Sequence, residues 1–276
     1  MCLIFFSYEV NTDYRLILAA NRDEFYDRPT SHLDFWEDAP YILGGRDLKN
    51  NGTWMGITQT GRFAAITNFR ELPVSLSQNI NQPPSRGLLI SNFLAGGVPP
   101  YIYLKKIKRT GNSYNGFNLL VGDSSELFYY SNRIDDVQKV KPGLYGLSNH
   151  ILDTPWPKVE KGKAEFKVLA EKLRSCSDME QEEIIEDIFS MLGDRSYPPE
   201  DRLPDTGIGI TWEKVLSPLC VRSEIYGTRS SSILLVEWNG KTTFLERTFI
   251  PKNDGTVEYE TKKFTISQIE NLQPYV

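Results

Sequence analysis

The first quarter of the chain alternates short apolar runs with polar turns, which is the pattern of paired strands. The apolar runs predict strands over Cys2–Ser7, Arg15–Arg22, Thr53–Thr58 and Arg62–Asn68. The last two are separated by the polar turn Gln59-Thr60-Gly61, which favours an antiparallel hairpin. The chain is therefore expected to begin with antiparallel strands.

The middle of the chain adds helical periodicity. Helices are predicted over Ser85–Ala95 and Tyr101–Arg109, and strands over Phe117–Val121, Leu127–Ser131 and Leu144–Asn149. Between residues 158 and 192 two apolar stripes recur at helical spacing: Gly162, Phe166, Leu169 and Leu173, then Ile184, Ile188 and Met191. These stripes predict two amphipathic helices that cover an apolar surface.

The last third returns to strands after an irregular segment. Residues 194–209 are rich in proline, glycine and charge, and predict a surface loop. Strands over Ser230–Trp238 and Lys241–Phe249 flank Asn239-Gly240, a pair suited to a hairpin turn. Strand blocks alternate with helix blocks without a βαβ rhythm, so an α+β fold of antiparallel sheets covered by helices is expected, as one domain over residues 1–276.

Composition narrows the class of protein. The net charge of −5 is mild, and the one dense basic stretch, residues 105–109, is typical of a solvated helix face, so no nucleic-acid partner is expected. The three cysteines have no CxxC spacing and there are only two histidines, so neither a metal nor a cofactor is predicted. No apolar run approaches the roughly 18 residues of a membrane span, and no signal peptide is recognisable, which favours a cytoplasmic protein. The sequence predicts no particular oligomeric state.

Cys2 is the first candidate for chemistry. Removal of Met1 would leave a thiol and a free amine on one residue, and an α-amine that titrates near about 8 can accept the thiol proton. The alternative is that Cys2 is a small buried hydrophobe at the start of an apolar strand.

A polar cluster, Asn21-Arg22-Asp23-Glu24, stops the second apolar strand abruptly. If this strand neighbours the first, Arg22 lies beside Cys2 and would lower the pKa of its thiol, while a carboxylate would bind the α-ammonium. An ion pair that caps a hairpin is the structural alternative.

Three further strand ends carry polar side chains. Asn68 and Asn149 each follow an apolar run, and an asparagine amide can hold a developing oxyanion, although asparagine is also a common turn residue. Arg229 lies between Thr228 and Ser230, just before another apolar strand, where a buried arginine would need either a carboxylate or a substrate anion.

Together these segments resemble the NRDE family, also called the transport and Golgi organization protein 2 family. The motifs that carry the resemblance are Met1-Cys2, Asn21-Arg22-Asp23-Glu24-Phe25, Gly44-Gly45-Arg46-Asp47, Gly52-Thr53-Trp54, Thr67-Asn68, Ser85-Arg86-Gly87, Tyr114-Asn115-Gly116-Phe117-Asn118, Gly146-Leu147-Ser148-Asn149, Asp153-Thr154-Pro155-Trp156-Pro157-Lys158 and Tyr226-Gly227-Thr228-Arg229-Ser230-Ser231. The family's animal members are linked to secretory-pathway organisation and to lipid or heme handling.

The order of these residues is also distantly similar to the choloylglycine hydrolase and penicillin V acylase group of N-terminal nucleophile hydrolases. This likeness implies a four-layer αββα sandwich of two antiparallel sheets and the hydrolysis of linear amides. It implies the following catalytic residues: Cys2, Arg22, Asp23, Asn68, Asn149 and Arg229. Substrate contacts are expected from Asn21, Glu24, Thr228 and Ser230.

One departure concerns the acid. In the hydrolases two residues separate the arginine from the acid, whereas Arg22 and Asp23 are adjacent, and adjacent strand residues face opposite ways. Glu24 shares the face of Arg22 and competes for the acid's role. The leading hypothesis is thus an amide hydrolase acting on a small-molecule substrate. The alternatives are a carrier of a lipid, an acyl-CoA or heme on the same fold, and an adaptor that acts through its surface.

Overall fold

The apolar runs pair into two antiparallel sheets in a computed structural model that describes residues 2–71, 83–252 and 256–267. The strands, in chain order, are β1 (Cys2–Tyr8), β2 (Tyr14–Phe25), β3 (Thr30–Trp36), β4 (Ala39–Asp47), β5 (Met55–Thr58), β6 (Phe63–Asn68), β7 (Phe117–Gly122), β8 (Leu127–Ser131), β9 (Asp136–Lys139), β10 (Gly143–Leu147), β11 (Tyr226–Glu237), β12 (Thr242–Pro251) and β13 (Val257–Ile266). The helices are α1 (Gly87–Ala95), α2 (Pro100–Thr110), α3 (Pro157–Lys172), α4 (Asp178–Leu192) and α5 (Ile210–Val215).

The chain divides into two units whose segments interleave along the sequence. Unit 1 contains residues 2–27, Lys141–Ser148 and Leu152–Ile266, and unit 2 contains Arg28–Val140 and Asn149–Ile151. Each unit holds one sheet and its own helices.

The sheet of unit 1 has the order β10-β1-β2-β11-β12-β13. Alternate residues of its strands, such as Leu3, Phe5 and Ala19, pack with residues of α3 and α4 in one apolar core. We call this side the helix face. Gly162 of α3 lies directly over Phe5, and a Cβ at this position would overlap the phenyl ring, so close packing of helix on sheet requires glycine there.

The sheet of unit 2 has the order β3-β4-β5-β6-β7-β8-β9. Its core combines residues of α1 and α2, such as Phe93 and Leu104, with apolar residues of β6, β7 and β8. Burial of these side chains from water is the main stabilising term for such a layer.

Most of the predicted elements are confirmed, with ends that move by a few residues. The N-terminal strands, the two helices between 158 and 192, the irregular 194–209 segment and the hairpin at Asn239-Gly240 all occur. The expected α+β class, with two antiparallel sheets and covering helices, is confirmed. Four strands, β3, β4, β9 and β13, and the short helix α5 were not predicted. Within the described ranges, no helix is long and apolar enough to cross a bilayer.

Candidate active site

Cys2 begins β1 and is the direct cross-strand partner of Arg22 on β2, and Arg22 in turn pairs with Ser230 on β11. Directly opposed residues of an antiparallel ladder point to the same face, with Cβ atoms about 5 Å apart. The three side chains therefore form a row across three strands, on the side opposite the helix face, which we call the cysteine face. Arg22 and Ser230 are buried and Cys2 is half-buried, while the Met1 that would have to be removed lies outside the described residues.

The electrostatics of Cys2 oppose thiolate formation. Burial raises the pKa of the Cys2 thiol, and the carboxylates of Asp23 and Glu24 raise it further, whereas the positive charge of Arg22 lowers it. The net pKa is above the ordinary value, so the thiol is protonated at neutral pH. Any nucleophilic role for Cys2 thus requires a nearby base.

The two acids of the NRDE motif lie on different faces. Glu24 is on the cysteine face, where its Oε2 lies 3.9 Å from Nη2 of Arg22. Asp23 points to the helix face, and its Oδ1 accepts a hydrogen bond of 2.7 Å from the Thr228 hydroxyl. The Tyr226 hydroxyl donates to the backbone oxygen of Asp23 at 2.9 Å. The alternation along β2 is therefore regular, and Glu24 is the acid that shares a face with Arg22 and Cys2.

Asn21 is also on the helix face, and its amide joins the sheet to neighbouring segments. Its Nδ2 donates to the backbone oxygens of Leu192 at 2.8 Å and Leu219 at 2.9 Å, and its Oδ1 accepts from the Ser231 hydroxyl at 2.6 Å. The two donated bonds use both amide hydrogens of Asn21. They connect β2 to the C-terminal end of α4 at Leu192 and to the backbone at Leu219.

Arg229 occupies a β-bulge. The register passes from Thr228 opposite Asp23 to Ser230 opposite Arg22, which leaves Arg229 as the extra residue on β11. The Arg229 side chain donates to the backbone oxygens of Phe25 at 2.8 Å and Tyr26 at 3.1 Å, and burial lowers the pKa of its guanidinium. Residues two apart on a regular strand point to the same face, but because of the bulge the side chains of Thr228 and Ser230 point to opposite faces of the sheet.

Asn68 and Asn149 both belong to unit 2 and are bonded to each other. The Asn149 Nδ2 donates to the backbone oxygen of Asn68 at 3.0 Å, and the Asn149 backbone oxygen accepts from the Arg70 N–H at 2.6 Å. The strand predicted to end at Asn149 ends at Leu147, so Asn149 lies in the connection after β10. The two asparagines thus come together without a shared strand.

Behind this pair, a buried network holds the connection. Asn118 donates from Nδ2 to the Thr67 hydroxyl at 3.0 Å and to the His150 backbone oxygen at 2.9 Å, and it accepts from the Tyr129 hydroxyl at 2.8 Å. Asn118 is fully buried, so this amide fixes the segment around Asn149 to β7 and β8.

Sequence reasoning missed Glu246. The residue is 3 % exposed, and its Oε2 accepts a 3.2 Å hydrogen bond from the Ser230 hydroxyl on the cysteine face. The sequence does contain a signal for it: Glu246 directly follows the apolar pair Phe244-Leu245 within a predicted strand. An acid that is buried at such a position needs hydrogen-bond partners, so it is a candidate for a polar site. In the portion of the chain that the structure describes, no cluster of His, Cys, Asp and Glu could hold a metal ion.

The fold and these residues define an α+β protein that carries a cysteine at position 2 and an arginine side by side on one face of an antiparallel sheet. The family model described as Transport and Golgi organisation 2 matches residues 1–251, and the chain belongs to this family. It is 37% identical over 288 residues to the Transport and Golgi organization 2 homolog of Mus musculus, covering 96% of this chain and 99% of the relative. The Drosophila melanogaster Transport and Golgi organization protein 2 is 27% identical over 274 residues, covering 90% of this chain and 92% of that protein.

Among solved structures, penicillin V acylase from Agrobacterium tumefaciens superposes with a TM-score of 0.49 at 10% sequence identity, covering 94% of this chain and 85% of that chain. The family predicted from the motifs is confirmed by the family match and by the relatives.

Proposed function

We propose that this protein hydrolyses non-peptide C–N bonds of linear amides, with Cys2 as nucleophile after removal of Met1. The observation that carries the proposal is the row of Cys2, Arg22 and Ser230 on the cysteine face. An arginine next to a thiol stabilises the thiolate, and the Ser230 hydroxyl in the same row can orient a substrate.

In this reaction the α-amine of Cys2 accepts the thiol proton while Sγ bonds to the substrate carbonyl carbon. The tetrahedral intermediate collapses as the proton passes to the leaving nitrogen and the C–N bond breaks, which leaves an acyl-thioester. Water then attacks the thioester, the acid leaves, and the thiol is restored. In the chain that keeps Met1, burial raises the pKa of the Cys2 thiol, so the proposed reaction depends on the α-amine that Met1 removal exposes.

We assign the acid that binds the α-ammonium to Glu24, since it shares the face of Cys2 and is within 3.9 Å of Arg22. We propose that Asp23 positions β2 from the helix face, where its carboxylate accepts the Thr228 hydroxyl. The oxyanion roles implied for Asn68 and Asn149 remain predictions. So do the orienting role of Arg229 and the substrate contacts of Asn21, Thr228 and Ser230. Kinetics of single variants test each of them.

The first test is the N-terminus itself. Intact mass and Edman sequencing of the purified chain should find Cys2 first, and a thiol-directed acylating probe should label Cys2. The label should vanish in Cys2→Ala and persist in Cys176→Ala, a matched change at another half-buried thiol. Retained methionine, or labelling unaffected by Cys2→Ala, would refute the proposal.

A second candidate function is that of a carrier for an acyl-CoA or another lipid. It applies to a chain that keeps Met1, because Cys2 then lacks a free α-amine of its own and its thiol is neutral. Titration of an acyl-CoA into protein with Met1 retained should then give saturable binding. Heme is the weaker ligand because the chain has only two histidines and no Cys-Pro pair. Absence of saturable binding of either ligand would eliminate the carrier.

We also propose a cytoplasmic location, on the ground that no disulfide joins Cys2, Cys176 and Cys220. Cell fractionation with a tagged chain tests it, and recovery in a lumenal fraction would contradict it.

A further inference from the structure

A cavity of about 250 Å³ opens within unit 1, away from the cysteine face. Thr228, whose hydroxyl bonds to Asp23 on the helix face, forms part of its wall. The rest of the wall comes from the 220–224 segment, Tyr26, Arg195, Phe249 and Val257. Cys2, Arg22 and Glu24, which carry the proposed amide hydrolysis, do not line this cavity.

Two guanidinium groups face the cavity. Arg195 and Arg222 line it together with the carboxylate of Glu224, while the Asp23 carboxylate lies behind the wall, where it accepts the Thr228 hydroxyl. Both guanidinium groups are close enough to the Tyr26 hydroxyl to lower its pKa, although burial of the phenol raises that pKa overall. Arg195 is exposed and makes no ion pair with any carboxylate of the described residues.

The remaining wall is apolar or thiol-bearing. Val221, Phe249 and Val257 contribute hydrocarbon, and the wall also includes the buried Cys220, whose thiol pKa is raised by burial and lowered by the nearby Arg195. Gly227 leaves room for Tyr26, since a Cβ there would overlap the phenol oxygen. A ligand in this space would meet guanidinium and phenol donors at one part and hydrocarbon at another.

We propose that this cavity is a binding site for a small organic anion with an oxyanion head, of which a phosphate monoester is the best match. Two guanidinium groups with a phenol hydroxyl are suited to phosphate oxygens, since guanidinium donates paired hydrogen bonds to such groups. The valines and Phe249 would hold the organic part. The site is independent of Cys2 and of Met1 removal.

Calorimetric titration with phenyl phosphate tests the proposal on the full chain. Wild type should bind saturably at millimolar concentration or below, and Arg195→Gln and Arg222→Gln should each weaken the affinity by about tenfold or more. Arg202→Gln is the matched control, because Arg202 is an exposed arginine that pairs with Glu160 outside the cavity. Parallel titrations with two other ligands separate the contributions to affinity. Inorganic phosphate lacks the phenyl group, and benzoate replaces the phosphate head by a carboxylate.

Cys220 provides a second measurement that does not depend on the variants. Phenyl phosphate should slow alkylation of Cys220 in the native protein, read by mass spectrometry, and leave Cys176 unchanged as an internal control. No saturable binding, equal affinity of Arg195→Gln and Arg202→Gln, or unprotected Cys220 would overturn the proposal. Stronger binding of benzoate than of phenyl phosphate would overturn the assignment to phosphate.

Discussion

At the scale of single residues, the motif Asn21-Arg22-Asp23-Glu24 serves both faces of one sheet. Arg22 and Glu24 lie on the cysteine face, while Asn21 and Asp23 lie on the helix face with bonds to Ser231 and Thr228. Four consecutive polar residues therefore do not form one site. The motif connects a candidate reaction face to the layer that supports it.

The hydrogen bond between Thr228 and Asp23 gives a prediction for stability. Thr228→Val removes the donor to the buried Asp23 carboxylate and the acceptor for the Val221 N–H, with bonds of 2.7 Å and 2.9 Å. Loss of a buried partner of a charged group costs about 1–3 kcal/mol. Urea denaturation should show a lower free energy of unfolding by that amount, whereas exposed Thr265→Val should change it by less than about 0.5 kcal/mol. Equal effects of the two changes would refute the structural role of Thr228.

The residue types of the candidate site could be predicted from sequence, but their pairing could not. Arg22 beside Cys2 follows once β1 and β2 are neighbours, and the strand alternation separates Asp23 from Glu24. The bulge at Arg229 depends on the register between two strands about 200 residues apart, which no local pattern specifies. Glu246 lies beside Ser230 through the hairpin of β11 and β12, but its place near Arg22 depends on the long-range pairing of β11 with β2.

At the scale of elements, an ion pair connects the ends of β6, β7 and β8. Glu71 follows β6 and Arg133 follows β8, and the Arg133 Nε donates to Glu71 Oε2 at 2.7 Å. The Gly116 N–H, just before β7, donates to Glu71 Oε1 at 3.1 Å. One carboxylate thus stabilises three strand ends of unit 2.

This pair predicts a pH dependence of stability. The hydrogen bond from Arg133 holds the pKa of Glu71 below its ordinary value, so the carboxylate stabilises the fold above the unfolded pKa of about 4.3. The contribution is lost as the pH falls through the lower, folded pKa. Glu71→Gln should lose about 0.5–1 kcal/mol of unfolding free energy at pH 7, and the difference from wild type should shrink towards pH 3. Denaturation midpoints at both pH values measure this, with Glu183→Gln as an exposed control.

A loss that persists undiminished at pH 3 would contradict the electrostatic explanation. It would indicate that the substitution acts through packing near Gly116 instead.

Elements with strong periodicity were predictable, and weakly apolar ones were not. The strands β1, β2 and β11 carry long apolar runs, which give clear signals. β13 is an exposed edge strand with charged residues such as Glu258 and Lys262, so burial gives it no periodic pattern. β4 contains Gly44-Gly45, a pair that is typical of a turn. In the sheet both glycines are needed, because a Cβ at Gly44 would overlap the Met55 backbone oxygen and one at Gly45 would overlap the Trp54 ring.

At the scale of the whole molecule, the three cysteines lie in different parts of the fold: Cys2 begins β1, Cys176 lies between α3 and α4, and Cys220 lies between α5 and β11. Burial raises the pKa of all three thiols, so each is less ionised at neutral pH than a free thiol. Cys220 is 5 % exposed, whereas the other two are half-buried.

Thiol titration should therefore give a distinct pattern. In denaturant all three cysteines should react, and without reductant the intact mass should correspond to three thiols. In native protein near pH 7.5 Cys220 should react most slowly, and all rates should rise with pH as thiolate forms. A mass deficit from a disulfide, or native Cys220 as reactive as Cys176, would show that the thiols are arranged differently.

The interleaving of the two units has a consequence for synthesis on the ribosome. All of β3–β9 is encoded between residues 30 and 139, so the sheet of unit 2 can close while the chain is still growing. The strands β1 and β2 emerge first, yet their sheet needs β11–β13 from the last quarter of the chain. β1 finds its two neighbours, β2 and β10, by residue 147, but β2 keeps one edge unpaired until β11 emerges late in translation. A premature stop anywhere before β11 leaves that edge of β2 without its partner, so truncated products would be substrates for chaperones and proteases rather than partly working proteins.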